Sequence, residues 1–173
     1  GVNLRVNPVM IPRDHVLAGV HGAYNAVFVE AANAGSLMFY GQGAGGHPTA
    51  SAVLGDLVSA ARAIALGAQG IPLDAYAALP AVSMDDATTR LSITVAVTDR
   101  LGALAQLAQV FADHGVSIST MLQIEDPDAP GMSQLRLVTH SGRHASLMAT
   151  VAALRELDVV RDIVSVTPVE AGE

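Results

Sequence analysis

Between residues 91 and 169 the spacing of apolar side chains switches from two residues to about 3.6 and back, twice, which spells strand, helix, strand, strand, helix, strand. That order predicts a split βαβ sandwich. Leu91, Ile93, Val95 and Val97 share one face of the first strand, with Ser92, Thr94 and Ala96 on the other, so the strand is expected to be half-buried. Asp99-Arg-Leu-Gly102 turns into a helix whose expected stripe is Leu104, Leu107, Ala108 and Phe111, closed at His114-Gly115. Residues 116–124 and 132–140 read as adjacent antiparallel strands, joined through a reversal at 126–131. A second helix over about residues 143–157 turns Leu147, Val151 and Leu154 inward, and residues 160–169 supply the fourth strand.

This pattern fills only the second half of a 173-residue chain. Ahead of it, residues 3–11 are β-rich and stop at Pro12-Arg-Asp-His15, where proline cannot donate to a ladder. Residues 24–30 and 36–40 predict a hairpin across Asn33 and Gly35. A glycine-rich stretch, Gly41-Gln-Gly-Ala-Gly-Gly-His-Pro48, then leads into a helix with Val53, Leu54, Leu57, Val58 and Ile64 on one stripe, which is expected to be buried. Pro48-Thr49 and Gly67 are its start and stop signals. Residues 67–89 hold Pro72 and Pro80 without a sustained period and read as a linker.

Composition narrows the function classes. Only 14% of residues are charged, where about 25% is usual, although 51% are hydrophobic. Such a surface is expected to be covered by a partner subunit or another domain. A membrane is the competing explanation, and the sequence argues against it because Asp56 and Arg62 interrupt the most apolar stretch, 49–66. A net charge of −7 with no basic run argues against nucleic acid. The absence of cysteine removes disulfides and thiolate metal sites, and fits a cytoplasmic location. All nine basic residues are arginine, so no step needing a lysine can run on this chain.

Several constellations invite chemistry. Gly41-x-Gly43-x-x-Gly46 satisfies a dinucleotide fingerprint literally, but the helix after it runs into the linker and the first later carboxylate beyond the helix is Asp74. A loop that closes over a nucleotide held by another domain is the reading that survives. Asp14-His15 lacks a nucleophile and reads as a turn cap. His140 and His144 straddle Ser141-Gly142 with no third ligand, and Asp126 with Asp128 offers too few oxygens for calcium, so no metal site is expected. The turn Asp99-Arg-Leu-Gly102-Ala103 differs, because free amides at a helix start favour a carboxylate and Gly102 permits close approach.

At this turn the residues carry a resemblance. Val97-Thr-Asp-Arg-Leu-Gly-Ala-Leu-Ala105, with His114-Gly-Val-Ser-Ile-Ser119, resembles an ACT domain, the amino-acid-sensing module of many biosynthetic enzymes. Upstream, Val6-Asn-Pro-Val-Met-Ile-Pro-Arg-Asp-His15, Asn25-Ala-Val-Phe-Val-Glu30 and Leu37-Met-Phe-Tyr-Gly-Gln-Gly-Ala-Gly45-Gly-His-Pro-Thr-Ala-Ser-Ala-Val53 are similar to the last part of the homoserine dehydrogenase catalytic region. Together the halves resemble the carboxyl-terminal portion of the ACT-bearing homoserine dehydrogenases. Those enzymes interconvert aspartate semialdehyde and homoserine with NAD(P)H on the route to threonine and methionine.

The fold class so implied is α+β: a partial catalytic-region sheet with a long helix over residues 1–66, a linker over 67–89, and a ferredoxin-like βαββαβ ACT domain over 90–173. In that family the nucleotide domain, the catalytic lysine and the acidic substrate ligands lie upstream of the matching region. The resemblance therefore assigns no catalytic residue here, and implies that this chain alone neither transfers hydride nor holds NAD(P) tightly. It places Gly43 and Gly45 near the cofactor and residues 25–30 in a dimer-forming sheet. It puts an amino-acid effector, threonine being the natural candidate, at Asp99, Gly102 and Ala103, facing Ser117 and Ile118 of a neighbouring module. ACT sites often carry asparagine where Ser117 stands. Pairing of modules also has a physical basis, since about 80 residues bury a modest core and leave a strand edge open. The alternative from another class is a freestanding ACT sensor whose first 66 residues only oligomerise.

Overall fold

In the computed structural model, residues 1–68, 77–125 and 131–170 are described. They divide into two compact units: Gly1–Pro12 with Leu79–Glu173, and Arg13–Ala78.

The larger unit is built on β3 (Thr88–Thr98), α2 (Ala103–Asp113), β4 (Ile118–Glu125), β5 (Met132–Thr139), the two-residue β6 (Gly142–Arg143), α3 (His144–Arg155) and β7 (Val160–Val169). β1 (Tyr24–Ala31), β2 (Gly35–Gln42) and α1 (Gly46–Leu66) belong to the smaller unit. The long strands run in the order β4-β5-β3-β7, all antiparallel, and β6 pairs with the first two residues of β3. This is the βαββαβ sandwich that the periodicity predicts. Its core joins Leu91, Ile93, Val95 and Val97 of β3 to Leu135 and Leu137 of β5, and to Leu107, Phe111, Leu147, Val151 and Leu154 of the two helices.

Three local expectations need correction. Strand β3 is not half-buried: Ser92 and Thr94 are buried as well, because β3 is central and their cross-strand neighbours lie on both sides, in β5 and β7. The stripe of α2 is Ala103, Leu107 and Phe111, at strict spacings of four, which leaves Leu104 and Ala108 exposed. Residues 3–11 form no strand; the segment touches the unit at two isolated bridges, Val2 to Ala81 and Met10 to Val169. Those bridges explain why residues 1–12 group with the ACT-like unit and not with the hairpin. Within the span read as a linker, Met84–Asp86 forms a 3₁₀ turn, capped by the Ser83 hydroxyl, and β3 starts at Thr88. Residues 69–76, with Pro72 and Asp74, and the reversal at 126–130 lie outside the described residues.

One buried polar contact closes the sheet. The Thr139 side chain is fully buried, and its hydroxyl accepts from the Leu91 amide at 3.0 Å. Thr139→Val keeps the volume but orphans a buried N–H, so a loss of about 1–3 kcal/mol is expected in urea unfolding.

In the smaller unit, β1 (Tyr24–Ala31) and β2 (Gly35–Gln42) form the expected antiparallel hairpin, with Tyr24 and Tyr40 stacked at 5.0 Å. Helix α1 spans Gly46–Leu66, starting two residues before Pro48. It ends where expected: Gly67 adopts φ +63, donating to Ala63 and Ile64, while the Ala68 amide bonds the Ala63 carbonyl. The expected burial of its stripe is not seen. No residue of α1 is buried in this chain, and Leu54 and Leu57 are each 60% exposed. Within its own unit α1 has only the two-stranded hairpin beside it, and such a hairpin cannot build a core alone. By length and composition α1 could also cross a bilayer, so the interruption by Asp56 and Arg62 is weaker evidence against a membrane than the sequence suggests.

Candidate functional site

The turn from β3 into α2 forms a concavity of about 410 Å³ in the larger unit. Val97, Asp99, Gly102, Ala103, Gln123 and Leu135 are among its lining residues. Local chemistry shapes this turn. The Asp99 amide bonds the Gly131 carbonyl at 2.9 Å and the Ala103 amide bonds Arg100 at 3.1 Å, which fixes the loop against the sheet. Gly102 holds φ +84, a conformation that an L side chain resists, and it caps α2 with no side chain of its own. No acidic residue occupies the first turn of α2, so its unpaired amides meet no carboxylate from within the helix.

The arrangement suits a small zwitterion. Helix amides favour a carboxylate, the Asp99 carboxylate favours an ammonium group, and the far wall offers the Gln123 amide beside Val97 and Leu135. Gln123 is absent from the sequence-predicted set. Its register partner is Leu135, itself opposite Val95, so only the strand order β4-β5-β3 brings it to this turn. The Gln123 side chain donates to the Ser133 hydroxyl at 3.2 Å, which orients it.

Ser117 and Ile118 are not part of this concavity. Ser117 lines a second hollow of about 290 Å³ with His140, Arg143 and Ser146, while Ile118 packs partly buried against the core. Six residues of strand separate Ser117 from Gln123, about 20 Å at the usual rise. Within one chain, therefore, the two halves of the expected effector set do not meet.

The glycine loop has local explanations. A Cβ on Gly43 would lie 2.0 Å from the Asn25 carboxamide, so Asn25 alone requires glycine there. Gly45 holds φ +128 at the start of α1, where a Cβ would crowd Pro48 at 3.1 Å. A turn of glycines before a helix could face a phosphate. The loop itself, residues 41–46, carries no carboxylate for a ribose, and the hollow that Gly43 lines is open, so these residues fit the edge of a nucleotide site and not a whole one.

The remaining sequence candidates resolve plainly. His15, and not Asp14, caps the 3₁₀ turn Val16–Gly19: its Nδ1 accepts from the Leu17 amide at 3.1 Å, with the ring edge-on to Phe28. His140 is exposed, whereas His144 is half-buried with an unpartnered Nδ1. Among the described residues no group of three His, Asp or Glu could hold a metal ion.

A βαββαβ sandwich with a hollow at its first βα turn is the architecture of an ACT domain, and residues 91–159 match the ACT domain family model. Residues 1–58 match the family model described as homoserine dehydrogenase. The chain is thus similar to homoserine dehydrogenases over its first third and to ACT domains over much of its second half. It is 46% identical over 170 residues to the homoserine dehydrogenase of Corynebacterium glutamicum, covering 98% of this chain and 37% of that protein. The enzyme of Mycobacterium tuberculosis strain H37Rv is 47% identical, with coverages of 98% and 39%. A crystal structure of a homoserine dehydrogenase from Thiobacillus denitrificans superposes with a TM-score of 0.87 at 32% identity, over 98% of this chain and 39% of that one. The chain thus spans about two fifths of the length of the relatives it matches.

Proposed function

We propose that this chain is the carboxyl-terminal portion of a cytoplasmic homoserine dehydrogenase, supplying an assembly surface and an amino-acid-sensing domain to an enzyme whose reactive groups lie elsewhere. The observation that carries the reading is similarity at 46% identity that runs unbroken through both segments, while the chain holds no lysine. Continuity through residues 1–58 also disfavours the freestanding sensor, which needs no enzyme-like segment. Gly43 and Gly45 border an NAD(P) site completed by the nucleotide domain. The exposed apolar faces of β1, β2 and α1 are covered by that domain or by a second copy, with no role for a membrane or nucleic acid.

The effector is an α-amino acid, with threonine favoured because it offers a hydroxyl to Gln123 and a methyl group to Val97 and Leu135. Ser117 and Ile118 contribute from a neighbouring module. Titration calorimetry tests this site. Threonine should bind the chain, and Asp99→Ala should weaken it about tenfold or more, the scale of losing a hydrogen bond to a charged group. Unchanged affinity in the variant would remove Asp99 from the site.

A further inference from the structure

The smaller unit is inserted, in chain order, between two pieces of the larger one: residues 1–12 precede it and residues 79–170 follow it. Both pieces are fastened to each other by backbone bonds. Val2 exchanges bonds with Pro80 and Val82, at 2.8 and 2.9 Å. Met10 donates to the Pro168 carbonyl and accepts from the Glu170 amide, each at 2.9 Å, directly opposite Val169 at the end of β7. Two side-chain ties are added: Asn3 donates to the Val82 carbonyl at 3.3 Å, and Arg5 meets Glu170 at 3.2 Å in an exposed ion pair of the kind that contributes little. Between the anchors the Leu4 and Val6 side chains are almost fully exposed, and no backbone bond holds them.

Strand β7 connects this fastening to the βα turn. At its near end the Thr98 amide bonds the Val159 carbonyl at 2.9 Å and the Arg161 guanidinium donates to the Thr98 hydroxyl at 3.2 Å, one residue before Asp99. At its far end sit Pro168, Val169 and Glu170. Between the two, β7 pairs with β3 along eight positions, with register shifts at Thr94/Val95 and at Ala96/Val97, so the strand runs as one paired element from the fastening to the turn.

We propose that the Met10–Val169 fastening is a latch, closed or open as a unit, whose equilibrium is set through β7 by occupancy of the Asp99 turn. The inference rests on reading that turn as an amino-acid site. Two backbone bonds and a solvated ion pair are the kind of contact that opens locally without unfolding the domain. The segment it releases runs directly into Arg13, so the latch delivers the state of the sensor to the homoserine dehydrogenase segment. A ligand moves such an equilibrium only if it binds the two latch states with different affinity, and the coupling is then reciprocal.

Reciprocity supplies the test. The chain has no cysteine, so Met10→Cys with Val169→Cys introduces a unique thiol pair. Opposed residues on adjacent strands lie about 4.8 Å apart, within the reach of a disulfide. The standard amino acids, threonine first, are titrated into the oxidised, latched form and into the same protein reduced with dithiothreitol. The latch predicts affinities that differ about fivefold or more between the two forms. Equal binding to both overturns the latch and leaves the amino-acid site standing, whereas no binding to either overturns the site and the coupling with it. Hydrogen exchange on the unmodified chain gives an independent reading. The Met10 and Glu170 amides should exchange together, much faster than the Val95 amide, and at a rate that changes on ligand binding. Exchange as slow as that of Val95 overturns the proposal without any variant.

Discussion

Joined at its amino terminus to the nucleotide-binding portion of one of its relatives, this chain is expected to pass from no measurable oxidation of homoserine to steady turnover. The expectation follows from inventory. No side chain here can act as a lysine proton donor, and the glycine loop ahead of α1 offers backbone to a phosphate but nothing to a ribose or a nicotinamide. An enzyme's acceleration comes from groups positioned on the reacting atoms, typically about a millionfold or more, and the proposed function puts those groups outside this chain. The readout is NAD(P)H absorbance with homoserine as substrate, for the chain alone and for the joined polypeptide. Turnover by the chain alone, purified free of longer species, would overturn the proposed division of labour.

Phe111→Ala carries the second large effect. Phe111 is 1% exposed, on the face of α2 that meets β3 and β5 in the core. Removing a buried phenyl ring costs about 3–5 kcal/mol, against a total of about 5–15 kcal/mol for a domain. The melting temperature of the larger unit should fall by about 15 °C or more. Leu57→Ala is the control, because at 60% exposure it should change the stability of the isolated chain by no more than about 0.5 kcal/mol. Should the two variants melt alike, the described core would not be what holds the unit together.

The sandwich was legible because its apolar residues keep a period matched to each element, and because turns such as Gly102 and Gly115 mark the changes of period. Helix α1 was legible in length and end, from Gly67, but its burial was not. A stripe of Val53, Leu54 and Leu57 says that a face is to be covered and is silent on whether the same chain covers it. Residues 3–11 misled for a related reason: β-propensity reports a fit to a pleated surface, and among the described residues this segment finds a backbone bridge at Met10 alone. At the βα turn, Asp99, Gly102 and Ala103 could be read locally, because a helix start needs only its own neighbours. Gln123 could not, since it reaches the turn through the order in which strands pair.

The outward-facing leucines and valines of α1 bear on the fate of the molecule in a cell. Chaperones and proteases recognise surfaces of this kind as unfinished folding. A copy that fails to find its cover is expected to be degraded, and a covered copy to persist. Abundance of the piece would then track the supply of whatever shields that helix, with no dedicated regulator needed.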